Sequence, residues 1–150
     1  MSNWYEDKKG FAEHLVYLDS KAKELQKMLD HEKSMIIRGA AGRKTPLGGR
    51  VRQGDMLYFV ETGGDLMVTH RAIVTEVVES EKMTVDQSHA FVEKYSDKLM
   101  LASHQKKRWA GKKFLCVISV GELEAIEQFK YNRLSNMDDW IITNSIDEIK

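Results

Sequence analysis

Trp4, Phe11, Leu15, Leu18, Ala22, Leu25 and Leu29 recur at spacings of seven, four and three, with Asp, Glu and Lys between them. This spacing puts the apolar side chains on one face and predicts an N-terminal amphipathic helix over residues 4–30, packed on the rest of the chain. It is too short for a coiled coil. Lys33-Ser-Met-Ile-Ile-Arg38 then reads as a helix exit and a short strand carrying two cations. Gly39 to Gly49 holds four of the ten glycines and the only proline, which marks a loop. β-prone segments follow at about 56–61, 66–79 and 113–120, and Thr62-Gly-Gly-Asp65 predicts a hairpin turn between the first two. From Thr84 to about Leu99 the pattern turns helical. Thr84 is the expected N-cap, Asp86 suits the first turn, and Val85, Phe91, Val92 and Tyr95 line the inner side. A short helical turn is predicted near 103–109, and Met137-Asp-Asp-Trp-Ile-Ile142 reads as a turn feeding a last strand. Glu122, Glu124 and Glu127 suit a solvated edge strand or turn. Strands interrupted by helices, without a strict βαβ repeat, predict an α+β fold: a small mixed or antiparallel β-barrel flanked by helices.

Composition narrows the class. A chain of 150 residues with 42% hydrophobic and 31% charged residues suits one globular domain spanning 1–150, with residues 1–30 its N-terminal helix. No apolar run approaches the ~20 residues of a membrane span, and the first residues do not start a signal peptide. The lone Cys116, in Phe114-Leu-Cys-Val-Ile118, is expected to be a buried small hydrophobe, and one cysteine permits no internal disulfide. A cytoplasmic location follows as the expectation.

Charge adds the functional clue. The chain has no net charge, yet Lys33, Arg38, Arg43, Lys44, Arg50 and Arg52 fall between residues 33 and 53 with no acid among them. Lys106, Lys107, Arg108, Lys112 and Lys113 form a second acid-free cluster, so two short segments hold eleven of the 23 cations. Such clusters point to an anionic partner, and an interleaved Trp109 adds a surface on which a base can stack. Other chemistries lack their signatures. The Ile37–Thr45 loop has Arg43 between Gly42 and Lys44 and no glycine at 37, so it is not a phosphate loop. The five histidines are scattered without metal-ligand spacing, and no metal or cofactor is implied. Of these, His70 beside Arg71 is the one placed nearest a cleft, with a plain wall role as the simpler expectation. No Gly-x-Ser-x-Gly elbow exists.

Leu29-Asp-His-Glu-Lys-Ser-Met-Ile-Ile-Arg38 is similar to the signature of ASCH domains, members of the PUA-like superfamily, where a helix ends in a Gly-x-Lys-Thr-x-Glu/Thr-x-Arg type of motif. Arg50-Val-Arg-Gln-Gly-Asp-Met-Leu-Tyr-Phe59 resembles the family's Gly-Asp and hydrophobic strand, Arg71-Ala-Ile-Val-Thr-Glu-Val-Val78 its next strand, and Lys113-Phe-Leu-Cys-Val-Ile118 its closing strand. The likeness covers about residues 20–120. It implies a PUA-like β-barrel with a helix-lined cleft that binds RNA or a modified base. Lys33 and Arg38 would match the motif lysine and arginine and face that cleft. Ser34 stands where the pattern often has Thr, and Ile36 where it has Glu or Thr.

Some small ASCH proteins resemble amidohydrolases of acylated cytidine that use a lysine, a threonine and a glutamate. That threonine falls at Ile36, which has no reactive atom. Ser34 would have to replace it, yet adjacent strand residues point to opposite faces. Glu76 or Glu79 would have to supply the acid. The leading expectation is therefore an RNA- or nucleotide-binding module, RNA ahead of DNA. Its ligand residues would be Lys33, Arg38, Arg43, Lys44, Arg50, Arg52, Lys106, Lys107 and Arg108, with Tyr58 and Trp109 as stacking residues. The alternative is a nucleoside amidohydrolase built on Lys33. A third reading makes the N-terminal helix a protein-interaction element.

Overall fold

The computed structural model describes residues 12–40, 46–47 and 49–150. Its framework is a mixed sheet curved into a half-barrel, seven-stranded among the described residues. The strands are β1 (Glu13–Leu18), β2 (Met35–Ala40), β3 (Met56–Glu61), β4 (Met67–Glu79), β5 (Phe114–Val120), β6 (Glu124–Lys130) and β7 (Trp140–Thr143). They run in the order β2-β5-β4-β3-β1-β7, with β6 also paired to β4. β1 and β3 are parallel, from Glu13 opposite Met56 to Leu18 opposite Glu61. The helices are α1 (Glu24–Leu29), α2 (Val85–Lys94), α3 (Ser96–Leu99) and α4 (Ser103–Trp109), and a 3-10 turn spans Ile146–Ile149. Among the described residues no helix is long and apolar enough to cross a membrane.

The strands at 56–61, 66–79 and 113–120 appear where the pattern placed them, within a residue. Gly63, at φ 70°, supplies the left-handed residue of the β3–β4 turn. The 13-residue β4 is long enough to pair with β3 and β6 near its start and with β5 near its end. A register shift between Val74 and Glu76 bends it there, as an extra residue in one strand does. Thr84 caps α2 as expected, its hydroxyl accepting the Gln87 amide while the Gln87 side chain accepts the Thr84 amide.

The N-terminal expectation is corrected. Residues 13–18 are a strand, and only Glu24–Leu29 is helical; residues 1–11 lie outside the described residues. His14-Leu-Val-Tyr-Leu18 is a continuous run because both faces of β1 are covered, the usual pattern of a strand buried on both sides. Val16 and Leu18 point into the half-barrel with Ile36, Leu57, Phe59 and Ile118, whereas Leu15 packs on the other face with Tyr58, Val60 and Tyr131. β2 is sandwiched likewise. Ile36 faces the barrel, and Met35 and Ile37 pack beneath the helices with Val92, Leu99 and Trp109.

A buried polar chain ties β1 to β7. Trp140 Nε1–H donates to His14 Nδ1 at 3.1 Å, so His14 carries its proton on Nε2 and donates it to Asp55 Oδ2 at 2.8 Å. Asp55 also accepts the backbone amides of Ala12 and Arg52, each at 3.0 Å.

Candidate nucleic-acid-binding cleft

β2 ends the strand order, so one of its edges has no strand partner among the described residues. Arg38 spans the gap from that edge to β1. Its guanidinium donates to the Tyr17 carbonyl and to the Ile37 carbonyl, both at 2.8 Å. It lies 5.5 Å from the Trp140 ring centre and 6.0 Å from that of Trp109, within cation–π range of both. The residue is only 8% exposed. Burial pulls its pKa down, while the charges of Asp139 and Glu24 hold it up.

Above Arg38 opens a cavity of about 320 Å³, bounded by β1, the start of α1, α4 and the residue leading into β7. The size is near the lower end of small-molecule sites, roughly 300–1,000 Å³. His104, Gln105 and Arg108 reach it from one face of α4, at the offsets that share a helical face. Arg108 lies over the Trp109 ring at 4.3 Å from its centre and lines the cavity.

The lining is of mixed charge, not purely basic. Asp19, Glu24 and Asp139 face Lys21, Arg38 and Arg108. His104 Nε2 donates to Asp19 Oδ2 at 2.7 Å. Burial alone would raise the Asp19 pKa, but the His104 hydrogen bond, the Ala22 and Lys21 amides and the His104 charge outweigh it and hold the carboxyl below its usual range. Asp139 Oδ2 sits 3.4 Å from both Arg38 Nε and Arg108 Nη2. For Arg38 that is an ion-pair separation without hydrogen-bond alignment. The Tyr17 hydroxyl is pushed up by burial, against the opposing charge of Arg133.

The residues expected at a site divide. Arg38, Arg108 and Trp109 meet at the cleft, though Trp109 is 7% exposed and mostly a core residue. Lys106 and Lys107 are exposed on the same helix. Lys33 does not face the cleft. Its ammonium is buried behind α1, donates to the Leu99 carbonyl and pairs with Glu24 Oε2 at 3.2 Å. Burial lowers its pKa, the Glu24 carboxylate works against that, and the Arg38 and Lys27 charges lower it further.

Tyr58 is also displaced from its expected role. It lies buried on the opposite face of the sheet, its hydroxyl donating to Glu13 at 3.3 Å and accepting from Arg71 at 3.2 Å. Arg50 is exposed and Arg52 half-buried, neither lining the cavity; Arg43 and Lys44 lie outside the described residues. Ser34 is exposed and lines one shallow depression with Lys33 and another with Glu76, Ile36 is in the core, Glu79 is exposed, and none of these residues lines the 320 Å³ cavity. His70 is bonded to its neighbour Thr69 and does not line the cleft.

Tyr17, Asp19, Glu24, His104, Gln105 and Asp139 were not anticipated as site residues. Asp19 and Glu24 read as the solvated side of a helix, and nothing in the pattern brings residue 139 to residue 38. His104, inside the second basic cluster, was the one with a usable signal.

No family model and no curated protein sequence matches the chain. Solved structures do. A serine-to-alanine variant of the ASCH protein from Zymomonas mobilis superposes with a TM-score of 0.63 at 10% identity, covering 91% of each chain. A tyrosine-to-phenylalanine variant of the same protein gives 0.63 at 12% identity, covering 91% of this chain and 93% of that one. The N-terminal domain of McrB from Staphylothermus marinus gives 0.50 at 10% identity, covering 93% and 92%. The fold is that of an ASCH domain, as the sequence motifs implied.

Proposed function

We propose that this chain is a nucleic-acid-binding module of the PUA-like kind that takes a single-stranded RNA segment, or a nucleotide, into the cleft between β1 and α4. One observation carries the reading: a fixed guanidinium at the cleft floor faces a second, exposed guanidinium stacked on an indole, with two further lysines on the outer side of the same helix. Single-stranded RNA is recognised by stacking splayed bases on aromatic rings or guanidinium planes, while lysines and arginines take the phosphates. The mixed donors and acceptors inside suit the edge of a base, and the cations at the rim suit its backbone. Arg50, with Arg43 and Lys44 of the same basic loop, extends the phosphate contacts in this reading. RNA is preferred over DNA through its 2′-hydroxyl.

The test is fluorescence anisotropy of a labelled single-stranded RNA at several salt concentrations, with DNA of the same sequence alongside. Arg108→Ala should weaken binding about ten-fold, in line with the ~1–3 kcal/mol of one stacked base. Lys106→Ala/Lys107→Ala should flatten the salt dependence by roughly 0.7 in slope for each phosphate that is no longer neutralised. Absence of binding at low salt, or indifference to Arg108→Ala, refutes the proposal.

A further inference from the structure

Resting on that reading, we propose that Asp139 sets base specificity in the cleft. Its carboxylate holds the position between Arg38 and Arg108 that a phosphate would otherwise take, and it accepts the exocyclic amino group of a cytosine, adenine or guanine. The geometry points there in three ways. Arg108 Nη2 donates to Oδ2 at 3.4 Å and Arg38 Nε lies at the same distance without alignment, both longer than the ~2.7–2.9 Å of a closed charge-assisted bond, so one oxygen is shared loosely by two guanidiniums. Among the described residues only Oδ2 is engaged, which leaves Oδ1 as an acceptor at a cavity that Asp139 lines. The backbone is fixed while the side chain is 42% exposed: the Tyr17 amide donates to the Asp139 carbonyl at 3.0 Å and anchors the residue to β1.

Gln105, which lines the cavity from α4, supplies an independent observation. It is 6% exposed, and its Oε1 accepts the Ala102 amide at 3.0 Å. The amino end is therefore what it has available for the cavity, a donor for the ring acceptor that lies beside the amino group in cytosine and adenine. Uracil reverses this edge. It places a carbonyl where the amino group would be and flanks its one N–H with two oxygens that a carboxylate repels. Carboxylate-to-amino hydrogen bonds of this kind read cytosine in duplexes as well.

Oligo(C) and oligo(U) of equal length, with oligo(A) as a second amino-bearing base, are titrated by anisotropy at fixed salt into the wild-type chain, Asp139→Ala and Asp139→Asn. The wild type should bind oligo(C) and oligo(A) on the order of ten-fold tighter than oligo(U), a typical value for one directed hydrogen bond to a base. Asp139→Ala should collapse that preference and, in a salt series, steepen the dependence by about 0.7 in slope, because Arg38 and Arg108 are then free to take a phosphate. Asp139→Asn, nearly isosteric, should lose the preference while melting like the wild type. Equal binding of all three oligonucleotides by the wild type, or a preference that survives both substitutions, overturns the inference while leaving nucleic-acid binding standing. No binding of any of the three overturns both.

Discussion

Asp55→Ala should be among the most damaging single substitutions in this chain, although Asp55 touches no ligand. Its carboxylate is fully buried and accepts three hydrogen bonds: the Ala12 amide at 3.0 Å, the Arg52 amide at 3.0 Å and His14 Nε2–H at 2.8 Å. His14 cannot turn away to find another acceptor, because its Nδ1 is held by the Trp140 indole at 3.1 Å. Truncation strands two buried donors and a half-buried one at once. Each costs about 1–3 kcal/mol, and a water entering the vacated space recovers part of that, so about 3–5 kcal/mol is expected. Asp55→Asn should cost less, about 2 kcal/mol, since one oxygen still accepts while the new amino group faces donors. Urea titration followed by tryptophan emission reads both, and Trp140 reports on the network directly. A loss below about 1 kcal/mol for Asp55→Ala would show that the network adds little and refute the reasoning.

Two further outcomes test the packing around the cleft. A methyl group on Gly39 would lie 2.7 Å from Leu115 Cδ2 and 3.2 Å from Trp109 Cε3, and Leu115 is fully buried, so Gly39→Ala should destabilise by about 1–2 kcal/mol in a urea titration; an unchanged midpoint would show that Leu115 and Trp109 yield freely. Burial pushes the Cys116 thiol up to about 12, so iodoacetamide at pH 8 should leave it unmodified in the native chain and label it in urea, and rapid native labelling would contradict its place in the core.

The sequence was readable wherever one physical signal dominated. Met56–Glu61, Met67–Glu79 and Phe114–Val120 announced themselves by β-branched and aromatic runs between turn residues, and Thr84 with Gln87 spelled out a helix start. The failure at Glu13–Leu18 has a definite cause. A strand covered on both faces loses its alternation, and Leu15, Leu18, Ala22 and Leu25 then coincide with helical spacing. Arg38, a cation conspicuous on a short apolar strand, does line the cavity. Lys33 looked equivalent, but its burial partner, Glu24, is set by where α1 docks and leaves no trace in local pattern. Tyr58 failed for a related reason: which face of β3 carries it depends on register with β1, a tertiary fact.

Among the described residues the sheet does not close at β2, and Arg38 of that strand lines the cleft. A sheet that closed fully would pair β2 with a neighbouring strand along its whole edge and leave no gap for a ligand. Here the gap is bridged by side chains. Arg38 joins β2 to the Tyr17 carbonyl, Lys33 holds α1 through Glu24, and His14 locks Trp140 to Asp55. Buried ions and polar groups of this kind are poor sources of net stability, because desolvation consumes most of what they gain. They are directional, however, and each tolerates one geometry. Apolar packing between the same elements would let them slide and fill the seam. The polar bridges fix its width, so under the proposed function the charged side chains of the cleft would keep their spacing before a nucleic acid arrives and lower the ordering cost of binding.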